Sequence, residues 1–428
     1  MIVAIKNGIV IDPDGNERNL DIVVQNETIV EVGENLDTGN MPVIDAGGAY
    51  VLPGFIDTNC EICDPGYENI EDLSTATKSA AKGGFTSITG QPTTSPVVDN
   101  KTVVSYITGR SKKMSIVNVY VYGSLTMGCE GKHMAEIGEM VNAGVVAVSD
   151  GGKCVGDAAL MRNIMRYSSM FNIPVITACE DASLSASGVV NEGKVATAYG
   201  LIGIPRAAEE IIVSRNIILS ENTGCKLHIS SVSTKGSVNL IREAKKKGIN
   251  ITCETQPHYF TLTEKSVEGY NTLAKVKPPL RTDEDVEAVI EGLCDGTIDV
   301  ISSGHRPATI EGKNKEFDMA SFGISSLETA FAVSYNALVA TGKMTMGKLV
   351  EKMNTSPAKL LNLDNKCGLK AGNDADIVIF SGDEEYYINP ANFASKAKFS
   401  PFGGTTVKGR VKYTIVAGEM VYIDDINY

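Results

Sequence analysis

The chain has 428 residues, 43% of them hydrophobic, enough for one compact protein with a large core. Its formal net charge of −13 excludes a polyanion partner such as nucleic acid, which needs a basic face to displace counterions from phosphates. Nine cysteines, odd in number and scattered from Cys60 to Cys367, predict free thiols and a reducing cytoplasm, not a disulfide framework.

At the N-terminus MIVAIKNGIVIDPDG alternates like a strand pair closing in a turn, without the basic n-region or apolar core of a signal peptide. DIVVQNETIVEV continues the alternation, and after Leu363 so do ADIVIF and GRVKYTIVAGEMVYI. The two ends, residues 1–52 plus 364–428, are expected to form one small β-sandwich domain. Residues 53–363 change to apolar runs followed by amphipathic helical stretches. The strand candidates are YVLPGFID, GFTSITG, IVNVYVYG, VVAVSD, IPVITACE, CKLHISS, INITCET and IDVISSG, with helices such as EDLSTATKSAAKGG and VNLIREAKKKG between them. Eight strands alternating with helices predict an α/β fold, a (β/α)8 barrel whose chemistry sits at the C-terminal strand ends. No run approaches the ~18 apolar residues of a membrane span.

The glycine pairs Gly83-Gly84 and Gly151-Gly152 lack the spacing of a phosphate or dinucleotide loop. Glu243 to Lys247 reads as a solvated helix face ending at Gly248, where cations suit the helix C-terminus.

Several segments together resemble the dihydroorotase family of the amidohydrolase superfamily. They are LPGFID with DPGYENIED, AAKGGFTSI with TTSPVVDN, HISSVSTKGSVNLIREAKKKG, CETQPHYFTLTE, KPPLRTDEDVEAVIEGLCDGTIDVISSGHRP, FGISSLETAF and SPFGGTTVKGRVKYTIVAG. The resemblance covers nearly the whole chain. It implies the amidohydrolase barrel and a binuclear zinc site, whose metal lowers the pKa of bound water to about 7 so that hydroxide can attack a cyclic ureide.

The residues that would carry that chemistry are changed. An Asp-x-His-x-His run after the first barrel strand falls on Asp57, Asn59 and Glu61, so both histidines are absent. The bridging acid falls on Gly151, with Asp150 one residue away. Other ligand histidines fall on Ala178 and Ser231, and the general-base carboxylate on Gly304, just before His305. Substrate anchors fall on Cys63, Thr93, Lys277 and Ala308. Only four histidines exist in the chain, His133, His228, His258 and His305, and a two-zinc histidine site needs about four well-placed ligands.

A substitute mononuclear site could draw on Glu61, Cys63, Cys179, Glu180 and Asp150, one metal on Glu61 and Asp150 being its simplest form. On an extended strand Asn59, Glu61 and Cys63 point one way and Cys60 the other, so Cys60 and Cys63 make no thiolate clamp. Acidic neighbours raise a thiol pKa, so Cys179 beside Glu180 and Asp181 reads as a buried structural cysteine. His228, His258 and His305 read as hydrogen-bonding structural residues.

The leading expectation is therefore a catalytically inactive homologue with no zinc and no other cofactor. It would be a structural or regulatory protein of pyrimidine biosynthesis, oligomeric, and a partner of aspartate transcarbamoylase as some family members are. The alternatives are a dihydroorotase or related cyclic-amide hydrolase working through a rebuilt site, and a sensor pocket for a small ureide or carboxylate with Lys277 and Arg306 as its cations.

Overall fold

In the computed structural model, which describes residues 2–424, seven of the eight predicted runs contain a barrel strand and the first overlaps one. They are Phe55–Cys60, Phe85–Gly90, Asn118–Gly123, Ala147–Val148, Val175–Ala178, Leu227–Ser230, Ile251–Thr255 and Val300–Ile301. They pair in sequence order, each parallel to the next. Past the last strand a parallel bridge joins Cys60 to His305, and Glu61 N–H donates to the His305 carbonyl at 2.8 Å. This bridge closes the barrel and brings the first and eighth strand ends side by side. The strands read as apolar runs because a parallel sheet covered by helices is buried on both faces.

The flanking helices follow from caps and apolar spacing. Leu73–Lys82 starts at Asp72, whose carboxylate accepts from Thr75 N–H at 2.9 Å. Lys235–Lys246 starts at Thr234 and buries Val238, Ile241 and Ala244, one stripe at helical spacing.

A second eight-stranded sheet is built from both ends of the chain. Ile377–Tyr387, Thr406–Val416 and Glu419–Ile423 from the C-terminal part join Tyr50–Pro53, Ile2–Ile11, Glu17–Gln25 and Thr28–Gly33 along one path, with Val43–Asp45 alongside Ile2–Ile11. Ile5, Val10, Ile22, Ile29, Ile377 and Ile415 form its core. The first segment is one ten-residue strand with an irregularity between Ile5 and Gly8, not the pair that its alternation suggests.

YVLPGFID is likewise not one strand. Tyr50–Pro53 pairs with Ile377–Tyr387 in the second sheet, and the barrel begins at Phe55. Gly54 makes the joint, donating its N–H to the Asp376 carbonyl at 2.9 Å and accepting from Asn354 Nδ2 at 2.8 Å. A side chain there would put Cβ 2.2 Å from Thr86 Cγ2. Among the described residues no helix is long and apolar enough to cross a membrane, and all nine cysteines are free.

Candidate functional site

At the C-terminal strand ends a buried carboxylate organises the barrel interior. Glu254, fully buried near the end of the seventh strand, accepts from Asn59 Nδ2 at 2.8 Å, from Ser230 Oγ at 2.8 Å and from Thr58 Oγ1. Gln256 Nε2 lies 3.4 Å from the same carboxylate and His228 Nε2 3.5 Å. Burial pushes the Glu254 carboxyl up, but His228 and the hydroxyl donors outweigh it and hold the group below its ordinary range. It is therefore ionised at neutral pH and only accepts hydrogen bonds.

That fixes the neighbouring amides. Asn59 turns its NH2 end to Glu254 and to Ser230 and Ser231 at 3.0 and 3.3 Å, so its oxygen receives Gln91 Nε2 at 3.2 Å. Gln256 turns its NH2 end to Glu254 and to Ser302 Oγ at 2.8 Å. Below this layer Asp57 accepts from Ser303 N–H at 2.7 Å and Ser303 Oγ at 2.5 Å, tying the first strand to the eighth. Burial pushes Asp57 up to about 6 against those bonds. Burial also holds the His258 imidazole neutral, lowering its pKa to about 3.

Two ion pairs frame the opening. Glu61 Oε1 meets Arg306 Nε at 3.2 Å, and Glu180 Oε1 meets Lys277 Nζ at 2.8 Å, with Lys277 also 5.7 Å from the Phe322 ring. Gly152 admits the arginine, since a Cβ there would stand 2.8 Å from Arg306 Nη1. The cavity so enclosed measures about 70 Å³, against the ~300–1,000 Å³ of an ordinary small-molecule pocket.

The expected site residues divide between this cavity and its surroundings. Asn59, Glu61, Gly151, Ala178, Ser231, Lys277, Gly304 and His305 line it. Asp150 does not: its carboxylate accepts from Leu125 and Thr126 N–H at 2.8 and 3.0 Å and from Thr126 Oγ1 at 2.5 Å. It anchors the loop after the third strand and is spent on that task, so the pairing of Glu61 with Asp150 on one metal fails. Cys63 also lies outside the lining. The strand ends at Cys60, and Cys63 takes a φ of 64°, so the extended geometry that aligned it with Asn59 and Glu61 does not exist. Thr93 stands behind Gly151, whose Cβ would lie 2.7 Å from Thr93 Cγ2. Ala308 is buried with Ala397 and Phe399. His305 Nδ1 receives Ser326 N–H at 3.2 Å, while Nε2 makes no hydrogen bond and lies 3.4 Å from the Glu71 carboxylate.

The donor set does not fit the zinc site that the resemblance implies. A methyl group, a hydroxyl, an amide and a carboxylate, those of Ala178, Ser231, Asn59 and Glu61, stand where imidazoles would be needed, and both carboxylates at the mouth are taken, Glu61 by Arg306 and Glu180 by Lys277. Burial pushes the Cys63 and Cys179 thiols up, away from the thiolate form that binds zinc. Among the described residues no group of three or more His, Cys, Asp or Glu side chains could hold a metal ion. Gly304 also leaves no room for a base: at φ 64° its Cβ would fall 2.5 Å from Gln256 Cγ. The residues that sequence reasoning missed are Glu254, Gln91 and Gln256. All three close predicted strands or follow them directly, which was the available signal.

Comparison with known proteins agrees with this architecture. The family profile described as Dihydro-orotase-like matches residues 48–237. The chain is 50% identical over 418 residues to the dihydroorotase of Acetivibrio thermocellus, spanning 97% of this chain and 98% of that protein. It is 47% identical over 422 residues to the dihydroorotase of Caldanaerobacter subterraneus subsp. tengcongensis, 99% and 97% of the respective lengths. The L-hydantoinase (dihydropyrimidinase) structure from Arthrobacter aurescens superposes with a TM-score of 0.90 at 27% identity, covering 98% of this chain and 96% of that one. Full-length identity at this level, on a barrel with the same strand order as its sequence motifs require, places the chain in the dihydroorotase family of the amidohydrolase superfamily.

Proposed function

We propose that this chain is a non-hydrolytic member of the dihydroorotase family, with a structural or regulatory role in pyrimidine biosynthesis. The observation that carries the proposal is the Asn59 amide bound to Glu254, Ser230 and Ser231. A neutral side chain fills the first ligand position with its hydrogen bonds already made, where a metal centre needs lone pairs facing outward. Ion pairs at Glu61 and Glu180 and the bare Gly304 support the same reading, because no free carboxylate remains at the mouth to activate water.

The test is zinc analysis of protein purified with zinc present, together with a dihydroorotate turnover assay. Sub-stoichiometric zinc and turnover no faster than buffer are expected. Stoichiometric zinc with turnover that Glu61→Ala abolishes would overturn the proposal. That outcome would instead establish the competing reading, a cyclic-amide hydrolase with a rebuilt site, which the name dihydroorotase on relatives up to 50% identical favours. As a scaffold the chain would assemble with itself and with aspartate transcarbamoylase. Co-purification from the host checks this, and a transcarbamoylase that assembles and works equally well without the chain would dismiss the partnership.

A further inference from the structure

The helix Arg206–Thr223, on the outside of the barrel, is apolar on two sides. Ile212, Val213 and Ile217 pack into the barrel core, yet Ile211 and Ile218 on the opposite face are 51% and 60% exposed. One exposed isoleucine is ordinary. These two belong to a stripe of exposed or half-exposed positions, Ala207, Ile211, Ser214, Ile218 and Glu221, in which steps of four and three residues alternate as along the seam between two packed helices. An isoleucine stands on each side of the small Ser214, so the stripe is complementary to itself under an antiparallel two-fold rotation.

The flanking charges obey the same symmetry. A rotation that lays Ile211 on Ile218 of a second copy also lays Asn222 on Ala207. Asn222 is held by Arg162 of the helix Ala158–Ser169, whose Nε donates to Asn222 Oδ1 at 3.2 Å. Next to Ala207, the Ala208 carbonyl receives Asp181 N–H at 2.7 Å. At about 100° per residue Asn222 and Ala208 stand within about 40° of each other around the helix, on one flank. Arg162 of one copy therefore arrives beside Asp181 of the other, twice in each dimer. Among the described residues neither side chain has an ion-pair partner: Arg162 donates to Asn222, and the Asp181 carboxylate accepts from Ser183 and Leu184 in its own turn. The 18-residue helix is about 27 Å long, and with a neighbour ~10 Å wide on each side it offers about 800 Å², the area that each partner gives to a standard interface.

We infer that two copies of this chain join through the outer face of Arg206–Thr223, the two helices antiparallel across a two-fold axis beside Ser214. Ile211 and Ile218 of both copies form the dry centre, and two Arg162–Asp181 pairs form part of its polar rim. The inference rests on the self-assembly in the scaffold reading and gives it a surface. It does not depend on whether the barrel mouth hydrolyses anything.

Sedimentation velocity on the full chain tests it. A dimer with a Kd of about 1 µM or tighter is expected from an interface of that area. Ile218→Glu sets two carboxylates against the seam and should leave a monomer, with its circular dichroism unchanged because residue 218 faces solvent in the single chain. Ser214→Cys should cross-link to a covalent dimer under oxidised glutathione, well above the level of the wild type with its own cysteines. Arg162→Gln and Asp181→Asn, the second keeping a side chain that caps a helix, should each weaken the dimer about tenfold, and the double variant no further. A dimer that Ile218→Glu leaves intact, a Ser214→Cys chain that does not cross-link, or additive effects of the two charge changes would overturn the inference. So would a monomeric wild type, and loss of transcarbamoylase binding in Ile218→Glu would then hand the face to that partner. Bound zinc or turnover, in dimer or monomer, bears on the non-hydrolytic reading alone.

Discussion

Asn59 shows how a single position can decide what a site does. Its amide supplies a donor to a buried carboxylate and an acceptor to Gln91 at once, so Asn59→Leu takes one donor from Glu254 and leaves Gln91 Nε2 without its acceptor. A loss of about 2–3 kcal/mol is expected from urea unfolding, and a change below ~0.5 kcal/mol, the level of an ordinary surface substitution, would show that the network carries no stability. Asp57 makes a second prediction, in pH. Its folded pKa of about 6 lies above the ordinary value of 3.8, so the folded chain holds the extra proton between about pH 4 and 6 and stability falls as pH rises through that window. His258, lowered from 6.5 to about 3, does the opposite: the unfolded chain holds its proton and stability rises with pH from about 3 to 6.5. The two oppose one another. Asp57→Asn removes the falling component, so its stability should climb with pH between 4 and 6 more steeply than wild type, by about 3 kcal/mol in total, and parallel curves would refute the assignment. That positions 59 and 61 carry no imidazole and position 304 no side chain was legible in the sequence. The partners of Asn59 were not, because Asn59 and Glu254 are 195 residues apart and meet only across the barrel.

Two buried lysines fasten the loops that roof the cavity. Lys313 Nζ donates to the carbonyls of Gly323, Thr272 and Lys275 at 2.6, 3.1 and 3.2 Å. Lys275 Nζ donates to the carbonyls of Phe317 and Asp318 at 2.6 and 3.0 Å and lies 4.6 Å from the Phe322 ring centroid. The loop carrying Lys277 is thus tied to the loop carrying Arg306, which sets where both mouth cations stand. Lys313→Met keeps the aliphatic stem and strips three carbonyls of their donor, for an expected loss of about 2–4 kcal/mol. Amide exchange at Gly323 and Ile324 should quicken in the same variant, and unchanged exchange there would show that the loops hold without it. At this scale the sequence was informative where a pattern is local. Buried parallel strands and capped helices announce themselves in consecutive residues, whereas the turn at Cys63 and the joint at Gly54 depend on what packs against them. A lysine buried among carbonyls looks like any surface lysine until the fold is known.

For the whole molecule the junction between the two sheets matters most. Gly54 passes from one to the other with Thr86 pressed against it, and Asp376 beside it receives Lys366 Nζ at 2.7 Å, Ala417 N–H at 2.8 Å and Asn118 Nδ2 at 3.0 Å. Gly54→Ala has no space for its methyl and should cost about 1–3 kcal/mol, with barrel and terminal sheet still melting in one transition. Two separated transitions would show that the joint couples them, and a neutral effect would show that Thr86 moves aside freely. The seam between Cys60 and His305 also bears on how this chain can change. Glu61 and Arg306, next to that seam, are bound to each other, and Gly304 is walled in by Gln256. A histidine or carboxylate introduced singly at 59, 61 or 304 therefore loses hydrogen bonds or an ion pair, or meets a clash, before it gains any bond of its own. The barrel mouth resists change one position at a time.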